Sequence, residues 1–413
     1  MKILIVTQYF WPENFRINDL ASGLKEKGHN VVVLTGIPNY PDGRFFQGYG
    51  AFKKRVEDYQ GIKIVRVPLV PRGNGRALNL ALNYLTFALC ASIFGPFICR
   101  GKFDLIFVYE PSPITVGLPA LVLKKLKTAP IMFWVQDIWP ESLSATGAVR
   151  SLLLLNLIER MVRFIYRGCD RILVQSKAFF SPIESLEVDP RRIIYFPNSA
   201  EELYQPLTVK QDASEHVGLP AGFRVMFAGN IGAAQDFANI LEAAEKLKGH
   251  PDIHWMIIGD GRMRPWVEAQ LQERRLTKTV HLLGRQPAQA MPRYFALADV
   301  LLVSLKKEPI FALTIPSKVQ SYLACAKPVI AALDGEGARV IAEAGAGLTC
   351  PAENPGALAE AVLTMYRMPE TERKAMGLCG RSYFEKHFER KILLDRLDEW
   401  MKELLKEVRQ CAS

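Results

Sequence analysis

The chain has 413 residues, 49% of them hydrophobic and 23% charged, which predicts two or three folded domains and excludes disordered, collagen-like and disulfide-scaffold classes. Its formal net charge is +10, and residues 1–205 hold 25 Lys and Arg against 17 Asp and Glu while the remainder holds 27 against 25. The excess in the first half points to an anionic partner there, and the lack of any basic–aromatic tract or nucleic-acid motif speaks against nucleic acid.

The N-terminus enters an apolar run directly after Lys2, with no small-residue cleavage site before Pro12, so no signal peptide is expected. Seven scattered cysteines without a CxxC pair fit a reducing cytoplasm and argue against a zinc ribbon or redox motif. Apolar runs rich in Ile, Val and Phe at residues 3–7, 31–35, 63–67, 105–109, 131–135, 172–175 and 193–196 read as buried parallel strands. Between the first two, residues 19–27 carry Leu20 and Leu24 at helical spacing before a capping Gly28.

Residues 77–99 form an uncharged stretch of 23 between Arg76 and Arg100, with Arg72 and Lys102 close by. Its length permits a membrane span, but Asn79, Asn83 and an interrupting Gly95-Pro96, with a strand of the same domain at 105, oppose one. A wholly buried core helix and a core helix that also docks into the membrane interface both stay open. A polar stretch at 199–221, punctuated by Pro206, Gly218 and Pro220, reads as a linker. Strands are then expected at 225–228, 255–258, 280–283, 300–303 and 329–332, giving a second doubly wound α/β domain over 222–380 after a first over 1–198. The segment 381–413 carries a broad apolar helical stripe and is expected to pack back on the first domain.

In doubly wound sheets ligands bind at the carboxyl ends of strands. Two first-domain strands run into Trp-Pro-Glu triplets: Trp11-Pro12-Glu13 followed by Asn14, and Gln136-Asp137-Ile138-Trp139-Pro140-Glu141. Tryptophan offers a flat face to a sugar ring, and Glu13, Asp137 and Glu141 offer hydroxyl-binding or acid–base groups. For each triplet alone, helix capping over a packed tryptophan is the stronger reading, and two triplets converging on one edge shift the balance toward a site. In the second half, Gly229-Asn230-Ile231-Gly232 leads to Gln235, Gly259-Asp260-Gly261 and Gly284-Arg285 follow later strands, and Pro316-Ser317-Lys318 opens a helix. These could bring backbone amides, a hydroxyl and a charge to an anion. There is no Walker A sequence, no Gly-x-Ser-x-Gly elbow and no His-Glu-x-x-His. Pro251 between His250 and His254 opposes a helical metal face, and Asp334 with Glu336 reads as capping before a divalent site.

The set Pro12-Glu13, Gly28-His29-x-Val31, Pro38-Asn39-Tyr40-Pro41-x-Gly43, Trp134-Val135-Gln136-Asp137-x-Trp139-Pro140, Pro197-Asn198, Gly229-Asn230-x-Gly232, Gly259-Asp260-Gly261, Ala298-Asp299 and Pro316-Ser317-Lys318 resembles retaining glycosyltransferase family 4. Within that family it is most similar to the WbuB-like branch, proposed N-acetyl-L-fucosamine transferases of O-antigen and capsule assembly. The resemblance implies the GT-B fold, two Rossmann-like doubly wound domains facing across a cleft. It implies a UDP-sugar donor on the second domain, near Gly229, Asn230, Gly232, Gln235, Asp260, Arg285, Ser317, Lys318 and Ser321. It also implies a polyprenyl-diphosphate-linked saccharide acceptor on the first, near Trp11, Asn14, Gln136, Trp139 and Glu141, with Asp137 and Glu13 at the reacting centre. No metal or other cofactor is expected. A cytoplasmic enzyme held peripherally on the anionic inner face of the plasma membrane follows from the lipid-linked acceptor. The sequence departs from the family at several positions: Leu313 and Ser321 stand where two glutamates are usual, Asn230 and Gln235 where Arg and Lys hold the diphosphate, and Gln136 where a histidine is common. With those groups gone, a sugar-nucleotide 2-epimerase of the same fold and a non-catalytic donor-binding scaffold are the competing expectations.

Overall fold

The computed structural model describes residues 1–412 except 52, 146–148, 150, 211–212 and 217. The chain divides into two compact units, Met1–Phe196 with the chain from Leu394 onward, and Pro197–Leu393. In the first unit the elements are β1 (Lys2–Val6), α1 (Arg16–Glu26), β2 (Asn30–Gly36), β3 (Val56–Tyr59), β4 (Ile62–Val67), α2 (Ala77–Ile98), β5 (Leu105–Glu110), α3 (Gly117–Lys127), β6 (Ile131–Val135), α4 (Glu141–Ala145), α5 (Leu152–Gly168), β7 (Arg171–Val174), α6 (Phe180–Glu184) and β8 (Ile193–Tyr195). They build one eight-stranded sheet in the order β3-β4-β2-β1-β5-β6-β7-β8. All pairings are parallel except β3 with β4.

The inner strands read as unbroken apolar runs because helices cover both faces: Ile3–Val6, Leu105–Val108 and Ile131–Val135 are all buried. The edge strand β3, Val-Glu-Asp-Tyr, escapes that signature because it is exposed on alternate residues. Peptide bonds preceding Pro12, Pro41, Pro113 and Pro140 are cis, all in segments following the carboxyl ends of β1, β2, β5 and β6.

The second unit comprises β9 (Phe223–Ala228), α7 (Phe237–Lys246), β10 (Ile253–Ile258), α8 (Arg264–Glu273), β11 (Val280–Gly284), α9 (Met291–Ala296), β12 (Val300–Ser304), α10 (Pro309–Leu313), α11 (Ser317–Ala324), β13 (Val329–Ala332), α12 (Glu336–Glu343), β14 (Gly347–Cys350), α13 (Pro355–Arg367) and α14 (Glu370–His387). Its six-stranded parallel sheet has the order β11-β10-β9-β12-β13-β14. The short Gly-Leu-Thr-Cys strand β14 completes an edge that the apolar pattern alone does not reveal.

Two expectations are corrected. The stripe over 381–408 is not one helix: α14 ends at His387 and α15 (Arg390–Ala412) begins after a break at Phe388 and Glu389. Phe384 and Phe388 therefore fill the second unit's core. The later part of α15 packs on the first unit, where Trp400 meets Phe196 edge-on, His29 bonds Asp398 at 2.9 Å and Arg171 bonds Glu407 at 2.7 Å. The division falls at Phe196–Pro197 and Leu393–Leu394, not at 198 and 380. The second correction concerns α2, which runs through Gly95-Pro96 to Ile98. Pro96 lies in the last turn, where it removes its own N–H from the bond to the Ser92 carbonyl. As the crossover between parallel strands β4 and β5 of one sheet, α2 does not span a membrane. It is not a wholly buried core helix either, since only Asn83, Phe87, Ala88, Ala91 and Gly95 are buried.

Candidate functional site

In the first sheet the chain leaves β1 toward β2 and later returns on its other side as β5. That reversal opens a crevice outside the carboxyl ends of β1 and β5, the place where such sheets bind ligands. The residues singled out in the first half all emerge at carboxyl ends of β1 and β6.

Glu13 is 2% exposed, and its Oε1 accepts hydrogen bonds from the backbone N–H of Asn39 at 2.8 Å and of Tyr40 at 2.7 Å. Burial pushes its carboxyl up to about 7, against these amides and the Arg66 charge. It pins the β2 loop to the β1 loop. Trp11 stays exposed and stacks on Tyr59 with ring centroids 4.6 Å apart, and Asn14 is exposed beside it. Trp139, by contrast, is 6% exposed, so it is no open platform for a sugar. Its indole N–H donates to Asp137 Oδ2 at 3.2 Å, and the Ser142 hydroxyl donates to the same oxygen at 3.2 Å. Asp137 thus brackets the turn into α4, and desolvation lifts its carboxyl to about 6. Gln136 lies beside it with a buried Nε2 that lacks a partner among the described residues. Glu141 is exposed at the start of α4.

Glu110, which the sequence reading did not single out, and Arg72, Asn39 and Asn83, which it did not place at the site, complete this edge. Glu110, the last residue of β5, is fully buried, and neither carboxyl oxygen has a hydrogen-bond partner among the described residues. Desolvation first and the Asp137 charge second hold it well above the usual carboxylate range. Arg72 donates to the Tyr9 hydroxyl, and its guanidinium lies against the rings of Tyr9, Tyr40 and Tyr84. Asn39 receives the Arg72 backbone N–H at 3.0 Å, while Asn83 on α2 accepts from Gln8 at 2.6 Å. Arg72 is therefore turned into the crevice, away from any surface role beside α2. A glutamate ending an otherwise apolar strand and an arginine within a Gly-rich loop carry no motif, and only the topology brings them together.

The second sheet repeats the arrangement, with its reversal between β9 and β12. The loop after β9 approaches the loop after β10 so closely that a Cβ on Gly259 would stand 1.8 Å from the Gly229 carbonyl oxygen, and Gly259 holds φ +140. Only glycine fits there. The β12 loop joins them through the Lys306 backbone N–H, which donates to the Ala234 carbonyl at 3.0 Å. Lys318, in the first turn of α11, places Nζ 3.8 Å from the Phe227 ring centroid and 3.0 Å from Gln235 Oε1, beside Gly229. No carboxylate pairs with it in the salt bridges of the described residues, and desolvation lowers its ammonium to about 7. A cation so poorly compensated can accept an incoming anion.

Asn230 lies against both Gly232 and Gly261, while Asp260 accepts the Gly261 N–H at 2.8 Å and lies exposed. Ser317 is exposed at the start of α11, and Ser321, one turn on, bonds back to the Ser317 carbonyl at 3.4 Å. Arg285 is exposed after edge strand β11, and among the described residues no hydrogen bond or ion pair joins it to Lys318. Among the described residues no group of three or more His, Cys, Asp or Glu is placed to hold a metal ion. Asp334 caps Ala352, Glu336 pairs with Arg339, and His254 bonds His281.

Two parallel-sheet units, each with a crevice at its topological reversal, define the GT-B class. Residues 14–199 match the family model described as glycosyl transferase 4-like domain, and residues 222–368 match glycosyl transferases group 1. By domain content the chain is a glycosyltransferase. It is 29% identical to "Probable glycosyltransferase WbjE" of Pseudomonas aeruginosa over 66% of this chain and 68% of that one. It is 25% identical to "Putative colanic acid biosynthesis glycosyl transferase WcaI" of Escherichia coli, over 78% of this chain and 81% of that one. Among solved structures, Anabaena HepE in complex with UDP superposes with a TM-score of 0.72 at 16% identity, covering 98% of this chain and 100% of that one.

Proposed function

We propose that the chain transfers a sugar, N-acetyl-L-fucosamine or a related N-acetylated deoxyhexose, from a UDP-activated donor to a polyprenyl-diphosphate-linked saccharide, with retention at the anomeric carbon, in surface-polysaccharide assembly of the WbuB-like kind. The observation that carries the reading is the recessed, carboxylate-free Lys318 at the reversal of the second sheet, flanked by Gly229, Gln235 and the first amides of α11. The UDP seen in HepE and the polysaccharide assignment of WcaI support it.

In this reading Lys318 and the loop amides receive the donor diphosphate and stabilise the charge that builds on it as the glycosidic bond breaks. They replace the Arg and Lys that Asn230 and Gln235 displace. No metal or other cofactor takes part. On the first unit, Asp137 receives the acceptor hydroxyl, beside Glu110, whose carboxyl burial and the Asp137 charge hold well above the usual range. The lipid anchor of the acceptor holds the protein on the anionic inner face of the plasma membrane. Calorimetric titration with UDP tests the donor assignment. UDP is expected to bind the native chain and at least tenfold more weakly to Lys318→Gln, since a charge-assisted contact is worth about 1.5–3 kcal/mol. Equal affinities would remove Lys318 from the donor site.

A further inference from the structure

Right-handed crossovers from β4 to β5, β5 to β6 and β6 to β7 all step in one direction across the sheet, so α2, α3 and α5 lie on the same face, while α1 steps the other way and lies opposite. On α2 the residues Leu78, Leu82, Leu85, Leu89, Ile93 and Phe97 recur every three or four positions as one outward ridge, and all are exposed. The first turns of α5 expose a second set, Leu152, Leu153, Leu154 and Leu157, with Leu153 at 84%. Both helices pack against α3. Soluble monomers seldom leave so much apolar side chain in water on one face.

We propose that the first unit docks on an anionic bilayer through both helices, α2 lying in the interface and the leucines opening α5 inserting beside it. The proposal rests on the lipid-linked acceptor for its purpose, though not for its test. Three observations favour lipid over a protein partner. First, the polar side chains of α2 are spent internally: Thr86 and Ser92 donate to carbonyls one turn back, Asn79 to Asn74, and Asn83 to the Val70 carbonyl, so the ridge offers no directional contacts. Second, Leu152, Leu153 and Leu154 are consecutive, pointing around the helix start in three directions, which suits a fluid solvent better than a shaped groove. Third, residues 77–99 contain no charge, and exposed Arg76 and Arg100 bracket them, with exposed Lys125 on α3 between the two helices. Apolar burial combined with basic residues near anionic headgroups is the pattern of interfacial attachment. Helices in parallel crossovers start at the carboxyl ends of the strands. The leucines at the start of α5 therefore lie toward the strand edge that carries Asp137 and Glu13, where a lipid-linked acceptor has to be reached.

Co-sedimentation with vesicles of phosphatidylcholine and phosphatidylglycerol, compared with phosphatidylcholine alone, tests the proposal on four chains: native, Leu85→Gln with Leu89→Gln, Leu153→Gln with Leu157→Gln, and Arg76→Gln with Arg100→Gln. Every substitution is at an exposed position, so melting temperatures should stay near native and serve as the folding control. Each double variant is expected to bind anionic vesicles at least tenfold more weakly, and the native chain to bind less in high salt and on neutral vesicles. Native-like binding by the α5 variant would overturn the two-helix arrangement. So would a native chain that ignores vesicles, or one that sediments as a dimer which the α5 variant dissolves. Parallel assays with a soluble acceptor separate this from the functional reading: docking without sugar transfer contradicts only the transferase, and transfer without docking contradicts only the platform.

Discussion

Lys318 and Glu13 are each displaced from their ordinary charge state by burial, and each is a measurable titration. With its ammonium lowered to about 7, Lys318 is only partly charged near neutrality in the free protein, and a bound diphosphate would restore the charge. UDP binding near pH 7.5 should therefore take up a proton, read as a buffer-dependent calorimetric heat, and Lys318→Gln should abolish that uptake. Glu13 works in the opposite sense to a salt-bridged acid. Its carboxyl is raised from the usual 4.5 to about 7, so between those pH values the native state keeps a proton that the unfolded chain has lost. Stability should fall as pH rises across that window, by up to ~3 kcal/mol from this group, and then level off. Glu13→Gln keeps an oxygen for the Asn39 and Tyr40 amides and should flatten the slope; an unchanged pH profile in urea melts would contradict the assignment. Lys318 was legible because Pro316-Ser317 announces a helix start after a loop. Glu110 was not, because a glutamate ending an apolar strand looks like the first residue of a loop. Trp139 was misread as a platform because exposure is decided by neighbours, here Asp137 and Tyr84, that sequence does not reveal.

Element by element, the buried parallel strands were readable from their apolar runs, since both faces of each are covered and nothing polar interrupts them. The edge strands β3 and β14 were not, because an edge has exposed positions and little length. The same limitation joined α14 and α15 into one stripe: both helices carry apolar faces at helical spacing, and the break at Phe388 and Glu389 has no Gly or Pro to mark it. The consequence is testable. Leu397 is fully buried, as is Met401 one turn later, on the part of α15 that belongs to the first unit. Leu397→Ala should cost about 2–5 kcal/mol. Differential scanning calorimetry should show the first unit melting earlier and the second nearly unchanged. A drop confined to the second unit would place α15 with the wrong partner.

Across the whole molecule, charge divides in the same way as the fold. The basic excess of residues 1–205 belongs to the unit that carries the exposed apolar helices α2 and α5, and the nearly balanced second half carries Lys318 and the glycine loops. Composition could register the first half's excess but not where it lies, and the uncharged stretch at 77–99 left burial and docking equally open; its outward ridge rules out complete burial. The claim that joins both units is transfer of sugar from a nucleotide to a lipid-linked acceptor, and mass spectrometry of UDP-sugar turnover with and without a polyprenyl-diphosphate-linked saccharide tests it most directly. UDP release that depends on the acceptor, matched by an acceptor heavier by one N-acetylated deoxyhexose, is the predicted result. Conversion or hydrolysis of the donor at the same rate without acceptor, or no turnover of any UDP-sugar, would contradict it.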